Sequence, residues 1–134
     1  MADSLDLEVA TPERELVRLQ VSEVEIPGKD GYLGVLPGHA ALLGQLGCGT
    51  LTYLAGGVRQ YFAVHGGFLE IRDDHVRVLA NQAERREEID IQRARRAFQR
   101  AQEAAINPSL GVDPAVALDA LNRAQARIAT AERQ

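Results

Sequence analysis

The chain has 134 residues, 46% of them hydrophobic and 25% charged, with a net charge of −4; this is enough for one hydrophobic core plus an appendage and too apolar for intrinsic disorder. The acidic balance argues against duplex nucleic acid as a partner, because counterion-driven binding needs a basic face. Cys48 stands alone, which rules out an intrachain disulfide and a CxxC metal site. No run of about 18 apolar residues is present, and the opening MADSLDLEVA lacks the basic and apolar regions of a signal peptide, so a cytosol-like compartment and no membrane span are expected.

Along the chain, period-2 alternation comes first. Leu5, Leu7 and Val9 alternate with Asp6 and Glu8; Leu19 and Val21 follow, then Val24 and Ile26 against Glu23 and Glu25. This is the pattern of half-buried strands, with breaks at Thr11-Pro12-Glu13 and Pro27-Gly28. Eleven of the 12 glycines lie between Gly28 and Gly67, where they are expected in turns and bulges. Further strands are predicted over Thr50–Leu54, Gln60–Val64, Phe68–Arg72 and His75–Ala80, separated by Ala55-Gly56-Gly57, His65-Gly66-Gly67 and Asp73-Asp74. Short strands at this spacing predict an all-β sandwich or barrel over residues 1–84.

From Glu87 the period changes. Ile91, Ala94, Phe98, Ala101 and Ala105 recur at three and four, with Arg93, Arg96 and Arg100 on the opposite side, which predicts an amphipathic helix over about 88–106. Asn107-Pro108 ends it, and Asp113-Pro114 supplies an N-cap and first-turn proline for a second helix over 114–131. Ala117, Leu121, Ala124 and Ile128 form its apolar stripe, and the short connection predicts an antiparallel hairpin over 85–134. Alanine dominates that interface, and an alanine methyl contributes about 0.8 kcal/mol on burial against about 1.5–3 for leucine or phenylalanine. A weakly held hairpin, able to dock and undock, is therefore expected.

Catalytic chemistry is not predicted. His39, His65 and His75 have no metal-ligand spacing, and GxSxG, GxGxxG and GxxxxGK[ST] are all missing. Cys48, between Gly47 and Gly49, is expected to be a small buried side chain without a catalytic surrounding. Charge is asymmetric: residues 1–84 hold 6 basic and 12 acidic side chains, and residues 85–134 hold 9 and 7. Any anion site is expected in the second part. Arg93 and Arg100 stack on one helix face, and an antiparallel partner can bring Arg123 and Arg127 beside them, so four guanidiniums are expected to converge and to favour an anion such as triphosphate. A solvated basic face, or one meant for acidic surfaces of a partner, fits the same residues.

The run GYLGVLPGHAALLG at 31–44, with HGGFLEI at 65–71, VRVLANQAE at 76–84 and EIDIQRA at 88–94, resembles the epsilon subunit of F-type rotary ATP synthases over essentially the whole chain. The resemblance implies an N-terminal β-sandwich and a C-terminal helical hairpin. It implies a non-catalytic rotor subunit, contacting the gamma subunit and the c-ring, with Tyr32, Pro37, Gly38 and His39 contributing to partner contact. The hairpin resembles the family's regulatory element, folded on the sandwich or extended into the alpha/beta catalytic head, where it inhibits ATP hydrolysis. Some members bind ATP on the folded hairpin through an [I/L]DxxRA motif. Ile89, Asp90, Arg93 and Ala94 match it, and Glu84, Arg100, Arg123 and Arg127 match the remaining positions; residues 107–112 depart from the binders' connection. ATP is thus implied as a regulatory ligand, with no required cofactor or metal, and the location implied is the cytoplasmic face of a bacterial plasma membrane, peripheral. A free-standing ATP-sensing or protein-interaction module is the alternative, and a small β-domain enzyme a weaker one.

Overall fold

The computed structural model describes residues 3–134. Eight strands come first: β1 (Leu5–Ala10), β2 (Glu15–Val21), β3 (Glu23–Gly28), β4 (Gly31–Val35), β5 (Leu42–Gln45), β6 (Cys48–Ala55), β7 (Val58–Arg72) and β8 (His75–Arg85). They pair in the order β2-β1-β8-β7-β6-β3-β4, with β5 also on β7. All pairings are antiparallel except β1 with β8. The sheet closes around one core, built from the inward half of each alternating strand: Leu5, Leu7 and Val9 of β1, Val24 and Ile26 of β3, Leu51 of β6, Val64 and Ile71 of β7, Val76 and Val78 of β8. Two helices follow, α1 (Ile91–Ile106) and α2 (Pro114–Ala131). The expected class, a β-sandwich followed by a helical hairpin, is the observed one.

Three local expectations change. Gly66-Gly67 does not end a strand: β7 runs through it, and there its partner on the edge away from β8 changes from β6 to β5, with Leu46 N–H donating to Gly67 O at 2.9 Å. Only glycine fits this corner, since Gly67 has φ +120° and a Cβ on it would lie 2.1 Å from Leu79 O. Within the glycine-rich run, β4 and β5 are strands where turns were expected, because the ladder, not an alternating pattern, holds them. Finally α1 begins at Ile91 rather than near 88: Asp90 caps it, its carboxylate accepting from Arg93 N–H at 3.1 Å, so Glu88 and Ile89 stay outside the helix.

In the hairpin, α2 is the middle layer. It packs on α1 and on β6 and β7; Ala94 and Ala101 of α1 and Ala117, Ala124 and Ala126 of α2 are buried, and Thr130 is buried against Thr50 of β6. Within the two helices the buried residues are these five alanines, with Ala94 and Ala101 in α1, and Thr130; Phe98, Leu121 and Ile128 are half-buried. The hairpin rests on methyl groups and one hydroxyl.

Candidate functional site at the hairpin–sandwich junction

Where β8 gives way to the hairpin, a groove of about 280 Å³ is lined by Glu84, Glu88, Ile89, Asp90, Arg93, Ala94, Ala97, Arg100 and Arg127. Three elements build it. β8 delivers Glu84 at its last turn of pleat, α1 carries Arg93 and Arg100 two turns apart, and α2 brings Arg127 across. Arg127 Nε donates to Glu84 Oε1, which ties α2 to the sheet. Glu88 accepts from Arg14 Nη2 at 2.8 Å and from Arg85 N–H at 2.9 Å. The Arg14 hydrogen bond leads in holding the Glu88 carboxyl below its ordinary range, and Arg14 is raised in turn.

Seven of the eight sequence-derived positions meet here: Glu84, Ile89, Asp90, Arg93, Ala94, Arg100 and Arg127. Arg123 does not line the groove; it pairs with Asp119 on its own helix and faces the β6–β7 side. Convergence of four free guanidiniums is thus corrected. Arg127 and Arg123 are each matched by a carboxylate, and only Arg93 and Arg100 of the four lack one among the described residues. Asp90 has a structural duty as the cap of α1, and Ala94 is buried in the helix pair.

The other expected contact group splits along β4. Tyr32 lies beside α2, its hydroxyl accepting from Thr50 N–H at 3.0 Å across Gly49, where a Cβ would come within 2.4 Å of that oxygen. Pro37, Gly38 and His39 sit beyond the far end of β4, where Gly38 N–H donates to Asp74 Oδ1 at 2.7 Å and His39 is engaged with Ala40 O. Sequence reasoning missed a further feature, an exposed apolar cluster on the outer sheet face formed by Leu43 of β5, Phe68 of β7 and Leu79 of β8.

Cys48 also differs from expectation. The residue is exposed, and its Sγ lies 3.1 Å from His65 Nδ1. Burial of the sulfur, then Asp119, pushes the thiol up to about 11, against the opposing pull of Arg123 and Arg127. The neighbour was readable in principle: a two-residue turn at Gly56-Gly57 sets Ala55 opposite Val58, and the same register sets Cys48 opposite His65.

The ATP synthase delta/epsilon chain beta-sandwich family matches residues 4–86, and the delta/epsilon chain long alpha-helix family matches residues 87–132. The chain belongs to the ATP synthase delta/epsilon family. The ATP synthase epsilon chain of Solibacter usitatus is 66% identical over 134 residues, covering 100% of both chains. That of Koribacter versatilis is 45% identical over 103 residues, 77% of this chain and 72% of its own. Among solved structures, a chain of the Euglena gracilis mitochondrial ATP synthase OSCP/F1/c-ring assembly superposes with a TM-score of 0.85 at 25% identity, covering 96% of this chain and 82% of its own. The chain is thus an epsilon-type subunit of F-type ATP synthase, a non-catalytic part of an enzyme.

Proposed function

We propose that this chain sits on the rotor, its sandwich against the gamma subunit and c-ring, and that its hairpin is a movable brake on ATP hydrolysis which ATP holds in the docked state. Proton translocation and ATP synthesis belong to the assembly it joins. The observation that carries the reading is the groove itself: Glu84, Arg93 and Arg100, and Arg127 come from three elements that meet only while the hairpin is docked. A ligand spanning them binds the docked state better and so shifts the population toward it. Arg93 and Arg100 offer charge-assisted donors to a polyphosphate, and the Glu84 carboxylate accepts from an amine or hydroxyl.

Rotor attachment is supported by the Euglena relative's setting in an assembly with F1 and c-ring, and by the exposed Leu43, Phe68 and Leu79 cluster, which suits a protein partner. Tyr32, Pro37, Gly38 and His39 extend the proposed contact along β4 and the loop after it. In the extended state the hairpin reaches the alpha/beta catalytic head. The location proposed is peripheral, on the cytoplasmic face of a bacterial plasma membrane; among the described residues no helix is long and apolar enough to cross one.

Two measurements test this. Capture by gamma is expected from purified components, and a chain that binds ATP without binding gamma would instead be a free-standing sensor. Calorimetry on the purified chain should give saturable heat with ATP; no heat at millimolar ATP ends the nucleotide site.

A further inference from the structure

His65 has no part in the groove. It lies on β7 on the face that α2 covers, is 6% exposed, and its Nε2 is buried without a partner among the described residues. Among the described residues its Nδ1 meets only the Cys48 sulfur of β6. Buried ring nitrogens normally find partners, because an unpaired polar atom out of water is costly. A protonated imidazole has two N–H donors, and this pocket supplies one soft acceptor for them. The groups facing the ring are Arg127, Arg123 and Asp119 from α2, Cys48 from β6, and the uncharged Gln82 opposite it on β8. Arg123 holds Asp119, and Glu84 of β8 holds Arg127. A charge on His65 would therefore be buried beside two cations, with the nearest carboxylate already engaged.

We propose that His65 makes hairpin docking pH-sensitive: when α2 lifts, the imidazole takes up a proton, so acidification favours the lifted hairpin. This rests on the reading that the hairpin docks and undocks. Burial, then Arg127 and Arg123, pushes His65 down to about 4 in the docked state, whereas an imidazole in water titrates near 6.5. Protons thus bind the lifted state preferentially. Docking has its full strength above about pH 6.5 and weakens as pH falls from there toward 4. Over this window the docking constant falls about 10-fold between pH 7.5 and 5.5.

The test is amide hydrogen exchange on the full chain at both pH values, corrected for intrinsic rates, with wild type and His65→Gln. Expected is an approximately 10-fold rise in α2 opening at pH 5.5 in wild type, less than about 2-fold in the variant, and unchanged β-core amides. An equal rise in both proteins would place the effect outside His65 and overturn the proposal. Opening that ignores pH would overturn it while leaving a mobile hairpin intact; α2 amides as protected as the β core at both pH values would defeat both. An NMR titration of wild-type His65 decides independently of the variant: a midpoint near 4 is expected, and one near 6.5 overturns the proposal.

Discussion

At the residue scale, the arginines divide by what already holds them. Arg93 and Arg100 line the groove without carboxylate partners among the described residues, whereas Arg123 is bound to Asp119 outside it. Arg93→Ala or Arg100→Ala is expected to weaken ATP binding about 10- to 100-fold, on roughly 1.5–3 kcal/mol per charged hydrogen bond. Arg123→Ala should change it by less than about 2-fold, and calorimetry on the three variants reads the difference; a large loss at Arg123 would mean that bound ATP also engages Arg123, outside the groove. Cys48 gives a second reading of the docked state. With its thiol pushed up to about 11 by burial, little thiolate exists at pH 8; the scarcer thiolate is a stronger nucleophile, so alkylation should run roughly 10-fold slower than in the same chain unfolded in urea. Equal rates in the two states would show that α2 leaves the sulfur in water.

At the element scale, α2 is pinned by one buried polar contact, Thr50 Oγ1 to Thr130 Oγ1 at 2.8 Å, with Thr50 4% and Thr130 0% exposed. Thr130→Val leaves the Thr50 hydroxyl buried without its partner, a cost of about 1–3 kcal/mol. Exchange at α2 amides should therefore rise about 5- to 100-fold while the β-core amides stay as they are, and adding Thr50→Val should restore much of the loss. Uniform loosening of both layers would contradict this. Elements of this kind mark how far the sequence can be read. Alternation exposed the core strands and the 3.6 period exposed both helices, since each element's own side chains carry its pattern. Strands β4 and β5 left no such trace: Gly31, Gly34 and Gly44 interrupt the alternation, and although β4 folds back on adjacent β3, the partner of β5 is the distant second half of β7. Four groove positions were legible through the motif and three more, Glu84, Arg100 and Arg127, through the family resemblance, but which arginines are free was not: the Glu84–Arg127 pair joins residues 43 apart and depends on where α2 crosses the sheet. The Thr50–Thr130 contact, 80 residues apart, had no sequence signal at all.

At the scale of the whole molecule, the two layers differ in what they lose on separation. Every member of the hydrophobic core cluster lies between Leu5 and Ala83, so the sandwich keeps its core if the hairpin is removed. What would be uncovered is Thr50, Tyr61, Ala63 and His65, a face of modest apolar content that water tolerates. The hairpin, by contrast, buries five alanines and a threonine in its two helices and leaves Ile106, Leu110, Val116 and Leu118 exposed. At about 0.8 kcal/mol per methyl, such burial does not offset the ordering of two helices of 16 and 18 residues. A chain ending after Glu88, which keeps the Arg14–Glu88 bridge, is expected to unfold cooperatively in thermal circular dichroism and to be captured by gamma as the full chain is. A peptide of residues 89–134 should show little helix in water. The truncated chain should also show no ATP heat, having lost Arg93, Arg100 and Arg127 together. If it failed to fold, the hairpin would be part of the core after all; if it folded but lost gamma, the rotor contact would run through the hairpin and not through Leu43, Phe68 and Leu79.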